Sequence, residues 1–268
     1  MRAVIAIASA LVFVIIALVA FHFDWGHPEI AVPELIALPN DSFYYRPAGN
    51  FRQGNRVVDA PLEMREITGV IEVMKYPVSV HNYAICVNAG FCNEAVSSLD
   101  QNFPQIGVSY LDAVGYARWF SEITGEVWRL PKDEEWIRAA SERSYEEKLL
   151  INSDDPSKRW LAEYAQQYSE RADGLTELRS VGGYGENSLG LSDMAGAVWE
   201  WTQTCMLSGE VSKDGLTLTD RSEYCGVRIA EGRHRALMIN FVRDPKVGGC
   251  AVGLPPSYLG FRLVREKY

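Results

Sequence analysis

Histidine is scarce in this chain: there are four, His22, His27, His81 and His234, and the first two precede the part that can build a core. A metal centre held by three histidines therefore cannot be assembled within the body of the protein. No serine nucleophile elbow, phosphate-cradling glycine loop or zinc motif occurs, which removes the enzyme classes those patterns mark. Clustered basic residues are missing as well. Net charge is -9 and the Lys and Arg side chains are scattered, so no face is suited to nucleic-acid phosphates and nucleic acid is not an expected partner. Repeats and low-complexity tracts are also absent. With 268 residues, 47% of them hydrophobic, the chain can bury one sizeable core.

Uncharged length is concentrated at the N-terminus, where Ala3 to Phe21 carries no ionisable residue. At helical rise such a run approaches the span of a bilayer core. Ala17 and Ala20 have the wrong spacing for a signal-peptide cleavage site, so residues 1–23 are expected to be an uncleaved transmembrane signal anchor. Arg2 before the run and Asp24 after it favour a cytoplasmic N-terminus. The protein is thus expected in the inner membrane as a single-pass protein with its domain facing the periplasm or exterior. Residues 24–42, punctuated by Pro28, Pro33 and Pro39, read as an extended linker, and residues 43–268 as the domain. Five cysteines suit an oxidising compartment. Cys86 and Cys92 bracket a helix end at Gly90, and Cys205 and Cys225 have a spacing that closes a polar loop. Cys250, among glycines, is left over as an inert thiol.

Within the domain, Gly69–Met74 reads as a strand, and Val80–Ala89 as a helix stopped by Gly90. A second helix begins after Ser109, its cap, and runs to Thr124 before Gly125. Ala117 and Trp119 belong to its buried face, with Asp112, Arg118 and Glu122 in water. A third follows Pro131, with Asp133, Glu134 and Glu135 in the first turn, where the helix dipole favours anions, and Trp136 and Ile137 turned inward. Elsewhere glycine and proline are frequent, so irregular coil and short strands are expected to dominate an α+β fold.

The segment Asn187-Ser-Leu-Gly-Leu-Ser-Asp-Met-Ala-Gly-Ala-Val-Trp-Glu-Trp-Thr202 has neither helical nor strand periodicity. Asp193 and Glu200, with carbonyls of Gly196 and Val198 between them, offer hard oxygen ligands of the kind calcium takes. Three other segments share an order with this one: Pro77-Val-Ser-Val-His-Asn-Tyr-Ala-Ile-Cys86 and its continuation to Cys92; Val108 to Trp119 followed by Arg129-Leu-Pro-Lys-Asp-Glu-Glu-Trp136; and Leu259-Gly-Phe-Arg262. In these segments and their order the chain resembles the formylglycine-generating enzyme or sulfatase-modifying-factor family.

The resemblance implies a C-type-lectin-like fold with little regular secondary structure, braced by disulfides and by structural calcium at Asp193, Gly196, Val198 and Glu200. Ala197 stands where the family usually has Asn. In that family catalysis depends on a cysteine pair that holds copper(I), shortly after an Arg-Gly-Gly-Ser-Trp motif; sulfur is what such a metal selects. On the family's frame Glu231-Gly-Arg-His-Arg235 falls on that motif, and Leu237 and Val242 fall on the two cysteines. Neither copper nor iron is expected as a cofactor. The implied function is a non-oxidase accessory or binding module with an envelope client protein or a small anionic ligand. The alternative is a periplasmic maturation enzyme working without the copper cysteines, for which Glu231, His234 and Arg235 are the catalytic candidates. His234, flanked by Arg233 and Arg235 with Arg228 and Arg243 near in sequence, lines either an anion pocket or a solvated basic strand edge. His81 reads as a helix-surface residue.

Overall fold

Every helix read from the sequence starts at a side chain able to cap it or at a proline, and these signals set the boundaries found in the computed structural model, which describes residues 30–95, 99–144, 161, 165, 177–247, 256 and 258–267. Helix α1 (Val80–Asn88) is capped by Ser79, whose side chain accepts from the Asn82 amide, and Gly90 follows with φ 78°. Helix α2 (Tyr110–Thr124) opens on a reciprocal capping box between Ser109 and Asp112 and stops at Gly125, which is left-handed at φ 69°. Helix α3 (Asp133–Ala140) has Asp133, Glu134 and Glu135 in its first turn. Asp112 was expected in water but is 6% exposed. Its carboxylate serves the cap and receives Arg243 Nε and Nη2 at 2.8 and 2.7 Å. Arg118 and Glu122 stay exposed.

Strands fill most of the rest. In chain order they are β1 (Leu35–Ala37), β2 (Ser42–Tyr45), β3 (Gly49–Gln53), β4 (Arg56–Val58), β5 (Glu63–Glu66), β6 (Val70–Met74), β7 (Trp128–Arg129), β8 (Val198–Val211), β9 (Leu218–Glu231), β10 (Ala236–Ile239), β11 (Tyr258–Gly260) and β12 (Val264–Lys267). One sheet has the order β1-β6-β12-β7; a second runs β10-β9-β8-β3-β4 with β11 alongside β8; β2 pairs with β5. The molecule is a sheet-rich α+β fold with few helices. Two sequence expectations change here. The linker expected over 24–42 contains β1, which pairs with β6 through Leu35↔Met74 to Ala37↔Glu72, and Leu38 is 5% exposed. Apolar residues between the prolines pull that stretch into the sheet. The coil expected from Val198 onward is instead a 14-residue strand paired with another of 14 residues. Val198 to Thr202 are buried in succession, so the alternation that signals a half-buried strand never appears. The apolar run at 3–21, residue Cys250, and the polar segment 154–178 except for Leu161, Ala165, Glu177 and Leu178 lie outside the described residues. No helix among the described residues is long and apolar enough to cross a membrane.

Aromatic packing joins α1 and α2 to the second sheet's edge: Tyr116 meets Tyr83, Trp119, Phe120 and Phe261, its ring centroid 5.3 Å from those of Trp119 and Phe261. A second cluster places Trp136 and Ile137 of α3 with Ile71, Val73, Leu191, Met194 and Val264. Cys86 bonds Cys92 and Cys205 bonds Cys225, as their spacings allowed.

Candidate functional site

The loop leading into β8 turns on Asp193, a non-glycine residue with φ 61°. Its carboxylate explains the turn, since Oδ2 accepts the Gly182 amide at 2.5 Å and Oδ1 the Tyr184 amide at 2.8 Å. Short polar side chains tolerate this conformation best when they hydrogen-bond locally. Burial raises the Asp193 carboxyl above the ordinary range, opposed by those two amides and by Arg262, with Glu200 adding to the rise. Glu200, on β8 and 1% exposed, accepts Arg262 Nε at 2.6 Å and Nη2 at 2.7 Å, and the Trp136 indole N–H at 2.8 Å. Arg262 gives its remaining donors to the carbonyls of Met74, Lys75 and Ser192.

Asp193, Gly196, Val198 and Glu200 therefore lie on one turn and the strand it feeds, and their chemistry is that of a calcium set. Both carboxylates already accept N–H groups, however, and the Gly196 carbonyl accepts Arg233 Nε at 3.0 Å. Positive charge beside Glu200 is supplied by a guanidinium, so a cation at these oxygens would compete with protein donors. In the sequence Arg262 stands out only as the end of Leu259-Gly-Phe-Arg262, not for this role. A lone charge inside Leu259-Gly-Phe-Arg-Leu-Val264 was the available signal, because a charge in an apolar run must find a buried partner.

The second candidate group sits where β9 ends. Glu231 has no exposed surface, nor does Asp133 at the start of α3. Arg235 Nε reaches Glu231 Oε1 at 2.6 Å, its Nη2 lies 3.3 Å from Asp133 Oδ2, and Tyr45 donates to the same Asp133 oxygen at 2.6 Å. Glu231 Oε2 and Asp133 Oδ1 remain without any other hydrogen-bond partner. Burial pushes the Glu231 carboxyl well above the carboxylate range, Arg235 opposes it, and the contacting Asp133 carboxylate adds to it. Two carboxyl groups facing one guanidinium leave one negative charge in excess, and a proton on Glu231 removes it. The sequence had isolated Glu231 and Arg235 but not Asp133 or Tyr45, which come from distant segments.

His234 is half-buried with its ring against Trp199, centroids 4.9 Å apart, and its carbonyl accepts the Trp199 indole at 2.7 Å. The arginines around it go to separate partners. Arg233 takes the Gly196 carbonyl, Arg235 the acid pair and the Arg46 carbonyl, Arg243 Asp112, and Arg228 the Gln203 carbonyl while lying 4.3 Å from the Tyr110 ring centroid. That arrangement distributes the positive charge instead of gathering it around an anion. His81 is exposed on α1, as read. Leu237 on β10 is half-buried and Val242 is 7% exposed.

The family model described as "Sulfatase-modifying factor enzyme 1-like domain" matches residues 29–267. The "Formylglycine-generating enzyme" of Mycobacterium tuberculosis (strain ATCC 25618 / H37Rv) is 35% identical over 105 residues, which is 38% of this chain. The match spans a third of that enzyme's length (33%). Among solved structures, PvdO from Pseudomonas aeruginosa shares the fold with a TM-score of 0.55 at 19% identity, over 88% of this chain and 95% of that one. CarF gives a TM-score of 0.49 at 17% identity, over 89% of this chain and 100% of that one.

Proposed function

This chain belongs to the sulfatase-modifying factor enzyme 1-like family, and from that premise we propose a non-oxidase member: an extracytoplasmic accessory or binding domain on the family's C-type-lectin-like frame, tethered to the inner membrane by residues 1–23. The observation that carries the reading is the pair Leu237 and Val242, hydrocarbon side chains on and just after β10 where a copper-holding cysteine pair is required. The four cysteines 86, 92, 205 and 225 are engaged in disulfides. Glu231 and Arg235, which a copper-free maturation enzyme would need for acid-base work, are spent on one another and on Asp133, and Glu231 has no exposed surface.

Purified protein supplied with copper(I) and oxygen is expected to leave the cysteine of a sulfatase-type peptide unconverted. Mass-spectrometric turnover above a control without protein would overturn the reading. Capture of one stable client from the envelope supports the accessory role, whereas loss of a small metabolite's maturation in a His234→Ala strain would favour the enzyme. The tether has its own test. A phosphatase fused after Tyr268 is expected to be active, and fluorescence from a reporter that matures only in the cytosol would contradict the orientation.

A further inference from the structure

The two disulfides sit in different surroundings. Cys86 has no exposed surface, whereas Cys225 lies on the exposed outer part of β9 and Cys205, its partner on β8, is 8% exposed. A thiolate attacking a disulfide must reach a sulfur, so exposed bridges are the labile ones. The β8–β9 ladder continues on both sides of this bond, with an irregularity at Cys205, whose register partner is Arg228. It pairs Met206 with Tyr224, Leu207 with Glu223 and Ser208 with Ser222 on one side, and Trp201 with Ala230 on the other. With the S–S bond open, those flanking pairs still hold the two strands together on either side of the cysteines, whose Cα atoms stand 4.5 Å apart.

A third donor is already in place. Glu223, two residues before Cys225 and therefore on the same face of β9, is exposed, and one of its carboxylate oxygens and both sulfurs all lie within 4.8 Å of one another. Among the described residues this is the group of His, Cys, Asp or Glu side chains, three or more strong, that meets that distance. We propose that the Cys205–Cys225 disulfide masks a metal site: when a dithiol reductant opens it, two thiolates and the Glu223 carboxylate take up one borderline-soft divalent cation of the zinc type. The exchange balances, since the reductant's two thiols become its disulfide while the protein disulfide gains two electrons and two protons. Both protons leave the cysteines when the metal binds. Zinc–sulfur bonds of about 2.3 Å require a sulfur separation of roughly 3.7 Å in a tetrahedral site, within the reach of side-chain rotation here. Solvent at the exposed face supplies the fourth ligand. The site is distinct from Leu237 and Val242, and its standing does not depend on the accessory reading.

Cadmium is the convenient probe, because its thiolate bonds absorb in the ultraviolet. In a Cys250→Ser background, with excess calcium present to fill any all-oxygen site, oxidised protein is expected to show no cadmium–thiolate absorption. Protein treated with a phosphine reductant, freed of it and shown folded by circular dichroism is expected to bind one equivalent with that absorption. Glu223→Gln, a surface change that leaves folding intact, is expected to weaken binding by about tenfold or more, and zinc is expected to displace cadmium competitively. Cys225→Ser is expected to abolish the absorption. The proposal is overturned if folded, reduced protein binds no cadmium, if Cys225→Ser binds as the parent does, which would assign the metal to Cys86 and Cys92, or if Glu223→Gln leaves affinity unchanged.

Discussion

Glu231 shows how one residue couples proton binding to folding. Burial raises its carboxyl well above the usual value of about 4.3 for an unfolded glutamate, so between those two values the folded protein holds a proton that the unfolded chain has lost. The stability from this group is therefore fully present below the unfolded pKa. It falls as pH rises toward the folded one, by at most about 1.4 kcal/mol for each pH unit in that window. Gln is close in shape to a protonated Glu, can accept Arg235 Nε and can donate to the orphan Asp133 oxygen. Glu231→Gln is accordingly expected to match the parent in urea unfolding below about pH 4 and to exceed it increasingly as pH rises above that. A stability difference independent of pH would show that no proton is held there. His234→Ala is expected to leave this pH profile in place, since the ring lies against Trp199.

At the level of elements, close approach of strands decides which residues cannot change. β3 runs parallel to β8 with Gly49 opposite Leu207, and a Cβ at Gly49 would collide with the Leu207 carbonyl. The strands must part to accept a methyl group there. Gly49→Ala is expected to destabilise by about 1–3 kcal/mol, as overpacking does, visible as a lower urea midpoint, whereas Gly115→Ala on α2, with open space at its Cβ and no positive φ, is not expected to lower it. An unchanged midpoint for Gly49→Ala would mean that the parallel contact is loose. The same contrast explains what the sequence made legible. The three helices could be read because their ends are written locally, in Ser109, Pro131, Gly90 and Gly125, while the Ser79 cap of α1 emerges only in the structure. The β8–β9 hairpin could not be read as such. Trp199, Glu200 and Trp201 are all buried, so both faces carry large side chains and the period of two is lost. Asp112 looked like a wet helix residue because its partner, Arg243, lies 131 positions away. Within the candidate site, Glu231 and Arg235 were legible from one short segment, while Tyr45 and Asp133 are brought to them only by tertiary folding.

For the whole molecule, Arg262 is the residue that joins the parts. It follows β11, which belongs to the sheet of β8, and precedes β12, which belongs to the sheet of β6. From that crossing its guanidinium, without exposed surface, bonds Glu200 on β8, the Ser192 carbonyl before it, and the carbonyls of Met74 and Lys75 at the end of β6. Removing one member of a buried pair strands the other's charge, so Arg262→Met is expected to cost about 3–5 kcal/mol, and the added variant Glu200→Gln to recover part of that loss. Additive losses in the double-mutant cycle would show that the pair is not the brace. Calcium at Asp193, Gly196, Val198 and Glu200 is the competing source of positive charge at the same junction, and we propose it as a second brace on the oxygen chemistry of those ligands. If it binds the folded state, a chelator lowers the melting temperature by mass action, and Asp193→Ala abolishes that response while keeping the Arg262–Glu200 coupling. Melting that is indifferent to chelator in the parent would remove calcium and leave the Arg262 guanidinium as the positive charge that answers Glu200 at this junction.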